Sequence, residues 1–411
     1  MNIATTQAPL AGQASLTGQT PLACDAVIVG AGPAGATAAL ALADAGLAVA
    51  LVGPDAARDA RTTALLAGSV DLLARLGVWD DIRPHAAPLA VMRLVDDTGR
   101  LVRAPEVTFE ATELGLEAFG WNVPNDPLNA ALAAAVARSP RIVRIATPAT
   151  EITVGEMKVT LAAGGRAVSA RLAVAADGAA SPTREAAGLA VRHWHYDQAA
   201  LVATLKHSRP HHGNSTEFHT PTGPFTLVPL PGDRSSLVWI ERPAVAARLA
   251  ALDDATLAAT IERRAHSILG EMAIDGPRGV LPLEGHIAHH FAGNRVALVG
   301  EAGHRFPPIG AQGLNLGIRD AADLARLARR AEDPGAPAVL DAYDRARRFD
   351  AGTRTAGVDL FNRSLLADAL PVQCLRSVGL WATGRIPPLR RFAMRHGLGA
   401  VPFPARAQPH A

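Results

Sequence analysis

Residues 26–35 read Ala26-Val27-Ile28-Val29-Gly30-Ala31-Gly32-Pro33-Ala34-Gly35, an apolar run followed by the spacing G-x-G-x-x-G. The apolar run predicts a buried strand, and the Ala- and Leu-rich residues 34–45, which stop at Gly46, predict a helix. Glycines at this spacing allow a tight turn, close approach of the backbone to a pyrophosphate, and close packing of helix on strand. The stretch therefore predicts a Rossmann-like unit that binds a dinucleotide. A structural turn, packed tightly for its own sake, is the alternative.

The second strand of this unit, expected at residues 47–52, does not end in the acidic residue that often holds the adenosine ribose. The chain instead continues Gly53-Pro54-Asp55. Asp55 could reach the ribose from further along, the backbone alone could hold the ribose, or Asp55 could be a solvated turn residue.

Two later segments also place glycine where a predicted strand ends. Asp177-Gly178 follows residues 172–176, and Gly300-Glu301-Ala302 follows residues 296–299. Together with the first segment they predict one dinucleotide held at several points by parts of the chain that are far apart in sequence.

The 411 residues exceed one ordinary domain and can bury a large core. Helices are expected at residues 62–76 and 128–137, and residues 90–95 and 100–102 flank Asp96-Asp97-Thr98-Gly99, a hairpin signal. The character then changes to short strands separated by Pro, Gly, Asn and Asp turns, expected at residues 200–206, 217–220, 225–229 and 235–240. A strand at 295–300 and a helix at 315–331 resume the first pattern, and residues 340–360 and 365–380 are expected to be helical.

This order predicts an α/β fold with an α+β insert. The nucleotide-binding domain is discontinuous, the insert is a mostly antiparallel sheet that serves as a substrate domain, and helices follow at the C-terminus. The expected ranges are a disordered tail at 1–22, the nucleotide-binding domain at 23–88, 118–190 and 276–345, the substrate domain at 89–117 and 191–275, and the C-terminal helical region at 346–411.

Composition narrows the function classes. The net charge of +2 does not indicate nucleic acid as a partner. Cys24 and Cys374 are too few for a disulfide framework and fit a reducing cytosol. Residues 1–22 lack the basic and apolar regions of a secretion signal, so we expect a cytoplasmic protein. The histidines at 286, 289 and 290 have helical spacing, but no carboxylate or cysteine completes a ligand set, so we expect no metal.

Residues 300–316 read Gly-Glu-Ala-Gly-His-Arg-Phe-Pro-Pro-Ile-Gly-Ala-Gln-Gly-Leu-Asn-Leu. This is similar to the G-D-A-x-H-x-x-x-P-x-x-G-x-G-x-N motif of the single-component (group A) flavoprotein aromatic monooxygenases, with Glu301 in place of Asp and Ala311 in place of Gly. The chain also has their first glycine motif and a motif at residues 175–184, in the same order. Residues 61–65, 76–79, 310–315 and 375–380 resemble the ubiquinone-biosynthesis FAD-dependent hydroxylases within that superfamily, and the resemblance runs from about residue 25 to about residue 399.

The resemblance implies an FAD-dependent monooxygenase that hydroxylates the aromatic ring of a polyprenylated phenol in ubiquinone biosynthesis. In that family NAD(P)H reduces FAD, and reduced FAD with O2 forms a C4a-hydroperoxide that transfers oxygen to the ring. The alternatives are hydroxylation of a soluble phenol, reduction of a prenyl group, and a flavin-bearing scaffold subunit of a lipid-biosynthesis complex. Glu301 and the missing ribose acid keep the scaffold alternative open.

The resemblance also implies site residues. The cofactor contacts it implies are Gly30, Ala31, Gly32, Pro33, Ala34, Gly35, Arg61, Asp177, Gly178, Gly300, Glu301, Gly310, Ala311, Gln312, Gly313, Leu314 and Asn315. Arg61 would meet the phosphates or ribityl chain, unless it forms an ion pair with Asp55 or Asp59. Asp177 would brace that arginine and the nucleotide, unless it caps its own turn. Of the two catalytic candidates, the carbonyl of Pro308 would contact a phenol hydroxyl, and His304 is either catalytic or a structural histidine bonded to backbone.

Residues 225–231 of the insert are expected to wall the substrate side of the flavin. Near the C-terminus apolar residues alternate with arginines. They predict either an amphipathic surface that meets the inner face of the membrane or the subunits of a quinone-biosynthesis complex, or ordinary helices that close over the core.

Overall fold

The computed structural model describes residues 21–100, 103–307, 312–366 and 370–397. Its strands are β1 Leu22–Val29, β2 Val49–Val52, β3 Thr62–Leu66, β4 Ala87–Pro88, β5 Val91–Asp96, β6 Val107–Glu110, β7 Gly120–Pro124, β8 Ile142–Ile145, β9 Thr150–Val154, β10 Val159–Ala163, β11 Arg166–Ala175, β12 Val191–His207, β13 Asn214–Thr220, β14 Gly223–Leu230, β15 Arg234–Glu241, β16 Met272–Ala288, β17 Ala292–Gly293, β18 Val296–Leu298 and β19 His304–Arg305.

The α-helices of the same ranges are α1 Pro33–Asp44, α2 Ala67–Arg75, α3 Trp79–Ile82, α4 Asn125–Arg138, α5 Pro182–Ala186, α6 Pro243–Ala250, α7 Asp254–Arg264, α8 Gln312–Ala328, α9 Pro337–Leu366, α10 Leu370–Arg385 and α11 Pro387–Phe392. Short 3₁₀ turns lie at Arg83–His85, Ala111–Leu114 and Gly300–Ala302, and a π-helical turn lies at Ala393–Gly397. None of the helices in the described ranges is both long enough and apolar enough to cross a membrane.

The first sheet has the strand order β17-β18-β11-β1-β2-β8. Strands β18, β11, β1, β2 and β8 run parallel, and β10 and β9 extend β11 antiparallel. The four residues of β2 are all buried, as are the last four of β1, which suits a parallel sheet covered on both faces. Helix α1 packs against α8 and α4 over this sheet. The predicted Rossmann-like domain is confirmed.

The second sheet has the order β19-β16-β12-β15-β14-β13-β5-β6, and every pair is antiparallel except β13 with β5. This confirms the predicted, mostly antiparallel insert. One of its faces packs on α7 and carries the aromatic residues Phe218, Phe225 and Trp239. Strand β16 extends the second sheet to Ala288, past residue 275, where the substrate domain was expected to end.

Three local expectations were wrong. Residues 62–66 form β3 rather than the start of a helix, because their backbone pairs with β7, from Thr62 opposite Pro124 to Leu66 opposite Gly120. The hairpin partner of β5 is β6, further along the chain than expected, because the Asp96 carboxylate accepts from the N–H groups of Thr98 and Ala104 and organises a wider loop. Residues 101 and 102 of the expected partner lie outside the described residues. The first strand begins at Leu22, inside the expected tail, whose first 20 residues lie outside the described ranges.

Candidate functional site

Three loops meet at the carboxyl edge of the parallel sheet. They are the first loop (residues 30–35) after β1, the second loop (residues 177–184) after β11, and the third loop (residues 300–307) after β18. The Ala176 N–H donates to the carbonyl of Val29 at 2.8 Å, and the Val299 N–H donates to the carbonyl of Ala175 at 2.9 Å. The three segments singled out in the sequence are therefore neighbours in space, as expected for a site at the end of a parallel sheet.

Glycine is favoured at the three positions of the first loop for different physical reasons. Gly30 has φ +108°, and a Cβ there would lie 2.2 Å from the carbonyl oxygen of Ala176. A Cβ on Gly35 would lie 1.9 Å from the carbonyl oxygen of Gly30, so this glycine lets the helix pack on the loop. At Gly32 a Cβ would meet none of the described residues within 4 Å. The protein itself gives no steric reason for glycine at that position, whereas a phosphate group approaching the backbone does.

Helix α1 presents its N-terminus to this open space. Gly32 is its N-cap, Pro33 follows, and no described side chain forms a capping hydrogen bond. The first-turn N–H groups and the positive end of the helix dipole are thus directed at the space in front of Gly32, where they favour an anion. The residues of the first loop fit the pyrophosphate of a dinucleotide.

The third loop packs directly behind the first. A Cβ on Gly300, whose φ is +64°, would lie 3.1 Å from the Cβ of Ala34, and a Cβ on Gly317 of α8 would lie 3.1 Å from the Cα of Gly300. Sequence reasoning missed Gly317. A glycine inside a helical pattern is the signal that could have found it.

Arg61 and Asp55 lie on the rim and form ion pairs. The Nε and Nη2 of Arg61 donate to the two carboxylate oxygens of Asp59, both at 2.7 Å, and this interaction raises the pKa of Arg61 and lowers that of Asp59 to about 2. The Asp55 carboxylate accepts from Arg144 at 2.8 Å. The ion-pair alternative for Arg61 is therefore present, and of the two expected partners it is Asp59 that forms the pair. Because the Arg61 side chain is 55% exposed, its contact with phosphate stays a prediction.

Asp177 is engaged within its own loop. Its carboxylate accepts from the Ser181 hydroxyl and from the N–H and hydroxyl of Thr183, at 3.0 and 2.7 Å for Thr183. These are the contacts of the capping alternative. The buried Arg184 has the linking role, because its Nη1 donates to the carbonyls of Ala179 and Ala302 at 2.9 and 3.0 Å and so joins the second loop to the third. Gly178 lies at φ +85° with open space around its Cβ position in the described structure.

His304 belongs to a buried charge network. Its Nε2 donates to Asp320 Oδ2 at 2.7 Å, the same oxygen accepts from the Gly300 N–H at 2.9 Å, and Arg347 Nε lies 2.6 Å from Asp320 Oδ1. Burial alone would raise the pKa of Asp320, but Arg347 and His304 lower it. The His304 imidazole is 1% exposed. These contacts support the structural alternative, with a carboxylate as partner instead of the expected backbone, and they make Asp320 the residue that shapes the third loop.

Glu301 is exposed, and its backbone carbonyl accepts from His286 Nε2 at 2.7 Å. Burial lowers the pKa of His286 to about 4, so this imidazole is neutral at pH 7 and donates to the carbonyl. The Glu301 carboxylate adds to the field that raises the pKa of Arg61, after the larger effect of Asp59. Contact of Glu301 with the cofactor stays a prediction.

Helix α8 begins at Gln312, so Gln312, Gly313, Leu314 and Asn315 form its first turn. The buried Asn315 side chain accepts from the Leu66 N–H and the Ser69 hydroxyl, and donates to the carbonyl of Ala64 at 2.7 Å. This amide ties the start of α8 to β3 and α2. Contact of this turn with a flavin stays a prediction. Pro308, Gly310 and Ala311 lie outside the described residues.

The histidines at 286 and 290 have partners of their own. His290 Nδ1 lies 3.2 Å from Asp344, and His286 bonds to the Glu301 carbonyl. Within the described ranges no three His, Cys, Asp or Glu side chains are grouped to hold a metal ion.

Loops that converge at the carboxyl edge of a parallel sheet, with open space before a helix N-terminus, define a dinucleotide-binding protein. The chain belongs to the FAD binding domain family, whose sequence profile matches residues 23–355. It is 36% identical to the ubiquinone hydroxylase UbiL of Rhodospirillum rubrum, over 94% of this chain and 92% of that protein. It is 32% identical to the 3-demethoxyubiquinol 3-hydroxylase of Escherichia coli K12, over 92% of this chain and 100% of that protein.

Solved structures share the fold. The p-nitrophenol 4-monooxygenase PnpA of Pseudomonas putida superposes with a TM-score of 0.74 at 20% identity, over 91% of this chain and 97% of that chain. Klebsiella pneumoniae HpxO, solved with FAD and uric acid, superposes with a TM-score of 0.70 at 18% identity, over 93% of this chain and 99% of that chain.

Proposed function

We propose that the protein is an FAD-dependent monooxygenase that hydroxylates the aromatic ring of a polyprenylated phenol in ubiquinone biosynthesis, with NAD(P)H as electron donor and O2 as co-substrate. The observation that carries the cofactor assignment is the open space at Gly32 before the N-terminus of α1. The substrate class is supported by the relative named a ubiquinone hydroxylase, which aligns over 92% of its length. Bound FAD supplies the activation of O2, for which amino-acid side chains have no equivalent.

The residues of this chain bind and orient the cofactor and the substrate, and they exclude water from the site. The first loop and α1 hold the pyrophosphate, and Asp320 fixes the third loop through the Gly300 N–H. The first turn of α8 directs N–H groups and a positive dipole end toward the flavin, where they stabilise negative charge. The second sheet provides an apolar wall on the substrate side.

The test is NAD(P)H oxidation by the FAD-loaded protein with and without a short-chain prenylphenol. We expect the prenylphenol to stimulate oxidation and to be recovered as a hydroxylated product, and the corresponding unprenylated phenol to stimulate less. Equal turnover of the unprenylated phenol would favour the soluble-phenol alternative. FAD binding without stimulation by either compound would favour the scaffold alternative.

The C-terminal helices carry an exposed apolar face, the C-terminal face, which comprises Leu375, Val378, Trp381, Ile386, Leu389 and Phe392, each between 39% and 74% exposed. Residues 370–397 contain five arginines and no Asp or Glu. Arg390 is paired with Glu113 from outside these helices. Apolar side chains next to the other arginines suit the surface of an anionic bilayer, where the apolar groups enter the acyl region and the arginines meet the headgroups. We propose that this face rests on the membrane, where a polyprenylated substrate dissolves.

Vesicle co-sedimentation tests this placement, with neutral vesicles compared with vesicles that contain anionic lipid. We expect binding to the anionic vesicles, a loss of binding in the double variant Trp381→Ser, Phe392→Ser, and no loss in Met157→Ser, which removes an equally exposed apolar side chain from the turn between β9 and β10. Unchanged partitioning of the double variant would remove the membrane proposal. Protein self-association that the double variant abolishes would identify a second copy as the occupant instead.

A further inference from the structure

The second sheet has one closed face and one partly open face. On its central strands the residues of the closed face are buried under α7, whereas several of the alternate residues are only half-buried. The half-buried set, which we name the inner face, consists of Val202, Thr204, Glu217, Thr226, Val228 and Val238. These side chains are therefore still reachable from outside the sheet.

The inner face connects to the dinucleotide site through hydrogen bonds. At the start of α8, Asn315 donates to the carbonyl of Ala64, and Ala64 on β3 lies opposite Asn122 on β7. The buried Asn122 amide then donates to the Pro229 carbonyl and the Ser236 hydroxyl, at 2.9 and 3.1 Å. The edge of the inner face is thus fixed relative to the turn that faces the flavin.

C-terminal elements wall the other sides. Asn362 of α9 donates to Gln198 of β12 at 2.9 Å, and Tyr196 donates to Asp359 of α9 at 3.0 Å. On the opposite side, Met394 packs with Leu380 against the residues of β5 and β6. The cleft therefore lies between the sheet, α9 and the C-terminal helices.

Glu217 of β13 belongs to the inner face. It belongs to a row of side chains that crosses five strands at one level, and the members of the row are Val202, Val238, Thr226, Glu217 and Leu94. His219 Nε2 donates to its Oε1 at 3.0 Å and the Thr226 hydroxyl to its Oε2 at 3.4 Å. The His219 side chain is 1% exposed and that of Glu217 is 16% exposed. A buried imidazole and a hydroxyl thus hold one carboxylate that still reaches the cleft.

We infer that Glu217 binds the phenolic hydroxyl of the substrate ring and restricts the site to phenols without a ring carboxylate. An ionised carboxylate only accepts hydrogen bonds, and a phenol offers one O–H donor, so the two groups are complementary. A benzoate group at the same place would meet a like charge beside a largely buried carboxylate, which is unfavourable. His219 and Thr226 are positioning residues that act through Glu217. This inference rests on the proposed function for the nature of the substrate.

The experiment uses the FAD-loaded protein and measures how two compounds perturb the flavin absorption spectrum. The compounds are a short-chain prenylphenol and the prenylated 4-hydroxybenzoate with the same chain. We expect Glu217→Gln to weaken prenylphenol binding by about tenfold, the loss for a hydrogen bond to a charged group, and to strengthen benzoate binding, so that the ratio of the two affinities shrinks. Glu106→Gln is the matched control, because this exposed carboxylate pairs with Arg93 away from the inner face.

Three further variants separate folding from binding. Thr226→Val removes a single hydrogen bond to Glu217, and we expect it to raise KM for the prenylphenol with kcat and FAD content unchanged. His219→Ala removes the hydrogen-bond donor, and we expect it to reduce the ratio of the prenylphenol and benzoate affinities. His219→Gln keeps a donor, and we expect it to retain most of that ratio. A merely structural His219 would lower FAD content in both variants and leave the affinity ratio of the remaining holoenzyme unchanged.

The outcomes distinguish the two proposals. An affinity ratio that stays the same in Glu217→Gln, while the wild-type protein binds and hydroxylates the prenylphenol, overturns the role of Glu217 alone. A wild-type holoenzyme whose spectrum responds to neither compound, and which hydroxylates neither, overturns the proposed function and this inference together.

Discussion

Substituting alanine for Gly32 should weaken FAD binding, whereas substituting alanine for Gly35 should destabilise the fold. The two glycines lie three residues apart in the same loop, but only Gly35 faces protein. In Gly35→Ala the new Cβ starts 1.9 Å from the Gly30 carbonyl oxygen, whereas ordinary contact begins at 3.4 Å. Helix and loop must therefore separate. In Gly32→Ala the Cβ enters open space, and φ is −69°, a conformation that alanine adopts readily.

The magnitudes follow from these contacts. Overpacking of this kind costs about 1–3 kcal/mol, so Gly35→Ala should lower the free energy of unfolding of the FAD-free protein by at least that amount. Gly32→Ala should change it by less than about 1 kcal/mol, since a weaker N-cap opposes a less flexible unfolded chain. Gly32→Ala should instead weaken FAD binding, because each lost backbone hydrogen bond to a charged phosphate costs about 1.5–3 kcal/mol, or about 10- to 100-fold in the Kd of FAD.

The assays are urea unfolding of the FAD-free proteins and FAD titration followed by flavin fluorescence. The reasoning predicts that Gly32→Ala unfolds like wild type and binds FAD weakly, and that Gly35→Ala unfolds at lower urea concentration. Wild-type FAD affinity in Gly32→Ala would refute the placement of the pyrophosphate. Wild-type stability of Gly35→Ala would refute the packing of α1 on the first loop.

Three further predictions concern the support of the site. Asp320→Asn should lower the free energy of unfolding by about 3–5 kcal/mol, because it breaks a buried charge network. The control Asp81→Asn removes an exposed carboxylate that pairs with Arg138 and should cost about 1 kcal/mol or less; equal losses in urea unfolding would contradict this. The pKa of His286 is lowered from 6.5 to about 4, so the unfolded chain binds a proton that the native protein does not. The free energy of unfolding should therefore fall as the pH decreases from 6.5 to about 4, by up to about 1.4 kcal/mol per pH unit. Unfolding at a series of pH values should show a flatter pH dependence for His286→Gln and an unchanged one for His289→Gln, at an exposed histidine. Asn315→Ala should cost about 1–3 kcal/mol in urea unfolding, because it leaves buried backbone groups without this partner, and an unchanged midpoint would contradict that role.

The location of the cofactor site was predictable because its signals are local. Gly30, Gly32 and Gly35 follow an apolar strand at a spacing that reports backbone geometry, and the structure places that loop at the sheet edge as expected. The order of strand-like and helix-like segments likewise predicted the discontinuous first domain and the inserted sheet.

The contacts of individual side chains were not predictable in the same way. His304, Asp320 and Arg347 come together across two helices, and no periodicity in the sequence indicates that they meet. Residues 62–66 became a strand because β7 pairs with them, a tertiary interaction that outweighs local preference. Glu217 gave no signal at all, since its place depends on the register of five strands and on the helices that cover the sheet.

Transfer of oxygen from O2 to the ring is tested most directly by supplying heavy-isotope O2 to the FAD-loaded protein with NAD(P)H and a short-chain prenylphenol, and by analysing the product by mass spectrometry. We expect one heavy oxygen atom on the aromatic ring for each NAD(P)H consumed. NAD(P)H oxidation that yields only hydrogen peroxide, with the phenol recovered unchanged, would contradict it.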